Sequence, residues 1–217
     1  MNNKSFKGAL FDLDGVVFDT EPQYSIFWGN QFKEYYPGST DMEKQIKGQT
    51  LIEIYDKYFP QKETQEAITR KLDEFEKCMK LEYVDGFETF VANLKKDGIK
   101  TAVVTSSNKV KMNNVYIKKP EFQNYFDIIL TAEDFSESKP SPDCYLKAAE
   151  RFGLTSDECV VFEDSFNGLK SGKAANMFVV GLSTTNSPEA IRPYSDIIIK
   201  DYEGFTAEAI CKEINIK

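Results

Sequence analysis

The chain has 217 residues, 41% of them hydrophobic, and a formal net charge of −8, enough to bury one domain or one domain with an insertion. The acidic balance argues against nucleic acid or an anionic membrane as a main partner, and no apolar run approaches the about 18 residues that a bilayer-spanning helix needs. Histidine is absent and the four cysteines are scattered, which excludes histidine triads and His–zinc sites and suits reduced, cytoplasmic thiols. The N-terminal residues Met1 to Ser5 show no signal-peptide apolar region, so a cytoplasmic location is expected.

Taken in chain order, short β-branched runs predict strands at residues 8–13, 101–105, 128–131, 159–162, 178–181 and 196–199. Amphipathic segments such as 87–97, 143–152 and 167–175 lie between them, and this alternation predicts a doubly wound, parallel-sheet, Rossmann-like core. Residues 20–84 break the pattern. Their apolar residues fall at helical spacing (Phe27, Ile46, Ile54, Phe75), predicting helices at 22–36, 41–47, 50–58 and 64–82 and no strand. The expected organisation is a core of residues 1–19 and 85–217 with an inserted helical cap of residues 20–84. Connections near residues 20–22 and 83–86 would serve as hinges.

Chemistry-bearing residues fall where the predicted strands end, which is where open α/β sheets bind ligands. The first strand runs into Asp12-Leu13-Asp14-Gly15. In an extended segment Asp12 and Asp14 would share a face while Leu13 points into the core. Two carboxylates so placed repel unless a cation or a proton separates them. By itself the motif is equally an acidic turn. The second strand ends at Thr105-Ser106-Ser107-Asn108, either an anion pocket of hydroxyls and free N–H groups or a simple helix cap. Lys139 sits on a loop stiffened by Pro140 and Pro142, and could offset charge on a nucleophile or remain a solvated surface residue. Glu163-Asp164 closes the fourth strand. If these acids meet Asp12 and Asp14, four carboxylates share one edge, and a divalent cation is implied. Gly168, Gly172 and Ala174 suggest close helix–sheet packing.

Together these motifs, in this order and at strand ends, resemble the haloacid dehalogenase superfamily of phosphotransferases, and the helical insertion resembles its α-capped subfamily. The resemblance implies Asp12 as nucleophile forming an aspartyl-phosphate, Asp14 as general acid and base, Thr105 and the Ser106 amide as phosphoryl ligands, and Lys139 bridging Asp12 and the phosphoryl group. It implies Mg2+ as cofactor, held by the Asp12 carboxylate, the Asp14 backbone carbonyl and Asp164, with Glu163 direct or through water. An acid at position 14 favours phosphatase or phosphomutase over dehalogenase or ion pump.

Within the subfamily the chain is similar to the β-phosphoglucomutase group: Asp19-Thr20-Glu21 follows the first motif, Trp28 lies in the first cap helix, and Lys47-Gly48 in a cap loop. Two departures stand out. The mutases have a histidine where this chain has Tyr24, and an arginine just after the cap Lys-Gly, near Leu51 here, to hold the second phosphate of a bisphosphorylated sugar. Gln49 and Thr50, the expected substrate-facing cap residues, carry no charge. A magnesium-dependent phosphatase of small phosphorylated metabolites, sugar phosphates foremost, is therefore expected. The alternative is a β-phosphoglucomutase interconverting β-glucose 1-phosphate and glucose 6-phosphate. No nucleic-acid or membrane partner is expected, and the default oligomeric state is monomer.

Overall fold

The structure, a computed structural model, describes residues 5–46 and 51–216. Gly8–Phe11 forms β1. Four helices follow: α1 (Glu21–Tyr35), α2 (Met42–Gln45), α3 (Leu51–Tyr58) and α4 (Lys62–Cys78). The chain then alternates through α5 (Phe87–Lys96), β2 (Lys100–Val104), α6 (Lys109–Lys118), β3 (Ile128–Leu130), α7 (Asp143–Phe152), β4 (Cys159–Glu163) and α8 (Phe166–Ala174). It ends with β5 (Phe178–Leu182), α9 (Pro188–Ile191), β6 (Ile197–Ile199) and α10 (Ala207–Ile216). All six strands pair in parallel, in the order β3-β2-β1-β4-β5-β6. None of the described helices is long and apolar enough to cross a membrane.

The sheet is covered on both faces, as parallel sheets require, and strand alternation decides which side chain goes where. Ala9, Phe11, Val103, Val160 and Phe162 point to the layer holding α5, α6 and α10, where they meet Phe87, Phe90, Met112 and Ile210. Leu10, Val104, Val161 and Val179 point to the opposite layer and pack on Tyr145, Ala148 and Leu169 of α7 and α8. Phe11 stacks on Phe162 with ring centroids 4.4 Å apart. The two strands that carry the acids are thus locked together directly beneath their carboxyl ends.

The inserted helices build a cluster of their own from Phe27, Trp28, Phe32, Ile54, Phe59 and Ile68. Tyr24 and Phe75 pack against both this cluster and the main core. The chain enters and leaves the insertion side by side: the Asp19 N–H donates to the Glu82 carbonyl at 2.9 Å and the Val84 N–H to the Val17 carbonyl at 3.0 Å.

Strand positions follow the sequence pattern, with ends moved by a residue or two. The largest differences lie in the insertion. The helix expected at 64–82 ends at Cys78, because Met79 adopts an extended ψ of 139° and Tyr83 pairs with Phe18. The helix expected at 41–47 is the single turn Met42–Gln45. Lys47, Gly48, Gln49 and Thr50 lie outside the described residues, so the two expected substrate-facing residues have no placement.

Gly86 joins the insertion to α5 at φ +79°, and a Cβ there would sit 2.6 Å from the Tyr202 carbonyl carbon. Backbone cannot yield as a side chain can, and the positive φ adds strain. Gly86→Ala is expected to cost about 2 kcal/mol or more, read as a lowered urea midpoint at unchanged slope. A midpoint equal to wild type would show that this contact is not tight.

Candidate active site

The strand order reverses between β1 and β4, the switch point at which such sheets place their sites. Asp12 follows β1 directly, and its N–H still donates to the Phe162 carbonyl of β4 at 3.0 Å. The chain then turns sharply. The Gly15 N–H donates to the Phe18 carbonyl at 2.8 Å, while the Val17 and Phe18 N–H groups both reach the Leu13 carbonyl. Gly15 has φ +72°, and a Cβ on it would lie 2.1 Å from Asp164 Oδ2. Only glycine therefore satisfies both the turn and the space.

Strand β1 itself ends at Phe11, and beyond it Leu13 is buried in the core as expected. Among the described residues, the acids whose oxygens converge are Asp12, Glu163 and Asp164, with one oxygen of each within 4.8 Å of the others. The Asp14 carboxylate is outside that group. It accepts from Thr20 Oγ1 at 2.8 Å, from Ser107 Oγ at 3.4 Å and from Lys111 Nζ.

Lys139 is the opposite of a solvated surface residue. It is buried, and its ammonium donates to Asp12 Oδ1 at 2.7 Å, Glu163 Oε1 at 2.6 Å and the Val104 carbonyl at 3.0 Å. Glu163 is fully buried. Besides Lys139, Tyr145 Oη donates to Oε1 at 2.9 Å, and Oε2 accepts from the Asp164 and Ser165 N–H groups and Ser165 Oγ. Gly168 makes room for this carboxylate, since a Cβ there would overlap Glu163 Oε1 at 1.7 Å. Gly172 does pack on Val161 and Val179 as expected for helix–sheet contact. Ala174, by contrast, is exposed. Thr105 is buried at the end of β2, its Oγ1 accepting from the Ser107 N–H at 3.0 Å, while Ser106 is exposed.

Burial and mutual repulsion mark the acid cluster. Burial, then Glu163 and Asp14, push the Asp12 carboxyl from its ordinary 3.8 up to about 7 despite the opposing pull of Lys139. Asp164 is likewise pushed well up, by burial first and then by Glu163 and Asp12. Lys139 is raised because Asp12 and Glu163 outweigh the burial that would lower it. One buried ammonium among three acids leaves negative charge in excess, and the donors are all oxygens. That set fits a hard divalent cation such as Mg2+.

The pattern did not single out a second ring of residues. Thr185 Oγ1 donates to Asp164 Oδ2, Asn186 Nδ2 to the Asp164 carbonyl at 3.0 Å and Thr184 Oγ1 to the Gly15 carbonyl at 2.5 Å. The loop after β5 thus braces both acidic strand ends. A run of Thr-Thr-Asn after a strand reads as an ordinary polar turn, so the sequence carries no stronger signal. Tyr145 sits on an amphipathic helix and looks like part of its face, and Lys111 looks like an ordinary helix lysine.

A carboxyl held above its ordinary value binds its proton more tightly folded than unfolded. Its stabilising contribution is full below about 4 and is lost as pH rises toward about 7. The metal-free protein is therefore expected to lose a few degrees of Tm between pH 5 and 8, and magnesium is expected to restore them at pH 8. A metal-free Tm flat over that range and indifferent to magnesium would contradict the cluster's electrostatics.

Comparison with known proteins agrees with this geometry. Residues 9–182 match the haloacid dehalogenase-like hydrolase family. The chain is 27% identical over 215 residues to hexitol phosphatase A of Escherichia coli, covering 92% of this chain and 93% of that one. It is 24% identical over 221 residues to beta-phosphoglucomutase of Bacillus subtilis, covering 95% of each. A solved HAD hydrolase of family IA, variant 3, from Entamoeba histolytica superposes with a TM-score of 0.83 at 23% identity, covering 97% of this chain and 100% of that one. That likeness shows a common fold. With the family match spanning most of the chain and the acids and lysine gathered at the β1/β4 switch point, the chain belongs to the haloacid dehalogenase-like hydrolases.

Proposed function

We propose that the protein is a magnesium-dependent phosphatase of small phosphorylated metabolites, sugar phosphates foremost, working through an aspartyl-phosphate on Asp12. The observation that carries this reading is the buried Lys139 ammonium bridging Asp12 and Glu163. It leaves the second Asp12 oxygen as the nucleophile and places one ammonium where it can also meet the charge of a phosphoryl group. The name of hexitol phosphatase A supports a phosphorylated polyol or sugar as substrate.

In the first step Asp12 attacks phosphorus, the bond to the leaving oxygen breaks, and Asp14 gives that oxygen a proton. In the second, Asp14 takes a proton from water as it attacks the same phosphorus, releasing inorganic phosphate and regenerating Asp12. Thr105 and the Ser106 amide hold phosphoryl oxygens throughout, and Lys139 neutralises charge on both Asp12 and the phosphoryl group. Asp12, Asp164 and the Asp14 carbonyl, with Glu163 behind them, would hold magnesium, which supplies further neutralisation of the phosphoryl charge. The inserted helices of residues 20–84 act as a cap over the site, closing about the paired connections to shed bulk water.

The beta-phosphoglucomutase relative keeps a second reading in view. A mutase must hold a bisphosphorylated sugar while it turns over, and the uncharged Gln49-Thr50-Leu51 does not supply the cation for its outer phosphate. The Tyr24 hydroxyl, at the position of the mutases' histidine, is engaged by Glu76 at 2.8 Å. Hydrolysis is the favoured outcome.

The test is phosphate release from p-nitrophenyl phosphate and from glucose 1-phosphate with a trace of the 1,6-bisphosphate. Phosphate is expected from p-nitrophenyl phosphate with magnesium, none after EDTA, and none from a folded Asp12→Asn variant. Glucose 1-phosphate, if turned over, is expected to yield phosphate in excess of glucose 6-phosphate. Efficient isomerisation without phosphate release would make the protein a mutase. Activity retained by Asp12→Asn would remove the covalent mechanism.

A further inference from the structure

Lys139 and Lys111 are the two buried lysines among the described residues, and the chemistry above uses only the first. Lys111 lies in the first turn of α6. Its backbone is fixed by the helix cap, where Asn108 Oδ1 accepts from the Lys111 N–H at 2.9 Å. Its side chain is 8% exposed, and its ammonium donates to Asp14 Oδ2. The same ammonium lies 4.9 Å from the centre of the Tyr24 ring. Tyr24 Oη donates to Glu76 Oε1 at 2.8 Å, and the Glu76 charge acts on Lys111 as well. A buried ammonium is costly unless paired. This one is paired to the carboxylate assigned the acid–base role, and through Tyr24 and Glu76 to the first and last helices of the insertion.

The other donors to Asp14, Thr20 Oγ1 and Ser107 Oγ, sit on short side chains close to the backbone. Neither can follow the carboxylate far when it turns toward a leaving oxygen. Lysine carries its ammonium on a flexible four-carbon stem. It can keep hold of Oδ2 while Oδ1 leaves Thr20. Unlike Lys139, it has no bond to Asp12 or Glu163 among those observed, so its influence on the reaction runs through Asp14.

We propose that Lys111 is the positioning residue of the acid–base aspartate: it orients the Asp14 carboxylate toward the leaving oxygen and, through Tyr24 and Glu76, makes that orientation depend on how α1 and α4 sit over the site. This rests on the reading of Asp14 as general acid. A general acid matters more as the leaving group becomes a poorer anion. A misaimed acid therefore hurts phenyl phosphate more than p-nitrophenyl phosphate, whereas a general loss of folding or of phosphate binding lowers both alike.

The experiment measures kcat/KM for both esters, with magnesium, in wild type, Asp14→Asn, Lys111→Met, Lys111→Gln and Lys111→Arg, with far-UV circular dichroism on each. Asp14→Asn is expected to lower phenyl phosphate about 100-fold or more, and p-nitrophenyl phosphate distinctly less. Lys111→Met and Lys111→Gln are expected to shift the ratio of the two esters in the same direction by about 10-fold, and Lys111→Arg to recover most of it. Having two charge-removing variants keeps the test open if one fails to fold. Equal losses on both esters in the folded Lys111 variants, or an unchanged ratio, would overturn the proposal while leaving Asp14 its role. An unchanged ratio in Asp14→Asn would overturn the general-acid reading itself and the proposal with it.

Discussion

Removing one ion of a buried pair leaves the other uncompensated, at a cost of several kcal/mol, and at the end of β4 this chain buries a carboxylate completely. Glu163 is accessible to no solvent and sits against Asp164 and Asp12. The Lys139 ammonium, shared between Glu163 and Asp12, is what makes that arrangement tenable. Much of the local architecture serves this contact. Phe11 stacked on Phe162 fixes the two strand ends side by side. Tyr145 reaches from α7 to complete the bonding of Glu163, and its ring lies 5.0 Å from the same ammonium. Gly168 yields the volume that the carboxylate occupies.

The same contact polarises the site. One Asp12 oxygen is committed to Lys139, so the two oxygens of this carboxylate are not equivalent. Asp164 is held by a different set of donors, from the loop after β5, and so is not drawn into the Lys139 pair. The acidic edge thus divides into one carboxylate, Glu163, neutralised inside the protein, and two, Asp12 and Asp164, that share the remaining negative charge. Asp14 belongs to a separate centre, neutralised by its own lysine. Two acids only one residue apart in the chain therefore have different electrostatic surroundings, a condition for giving them different chemical roles.

The core was legible in the sequence because strand and helix leave different periodicities. Leu10 alternates with Ala9 and Phe11 across the sheet as a strand demands, and α7 runs over the residues its amphipathic pattern marks. Asp12, Lys139, Glu163 and Asp164 could be grouped because each lies at a strand end or on a stiffened loop, and the ends of parallel strands converge. Where the reading failed, geometry beyond the element intervened. Four carboxylates were expected to share one edge, but the Asp14 carboxylate pairs with Lys111 of α6 and stands outside the cluster of Asp12, Glu163 and Asp164. Lys111 could not be found by pattern, since 97 residues separate it from Asp14 and a lone lysine on a helix ordinarily faces water. Gly168 packs against the sheet as expected, but its neighbour there is the Glu163 carboxylate of β4. Adjacent residues at a strand end do not reveal which glycine makes room for which acid.

The account stands on a covalent bond to one oxygen of Asp12. Borohydride reduces an acyl phosphate to the alcohol, so trapping during turnover converts a phosphorylated aspartate to homoserine, which peptide mass mapping locates. With magnesium and p-nitrophenyl phosphate present, homoserine is expected at position 12 and at no other aspartate, and is expected to be absent without substrate. Turnover that continues while Asp12 is recovered unmodified, or a homoserine found at position 14 or 164 instead, would contradict the account.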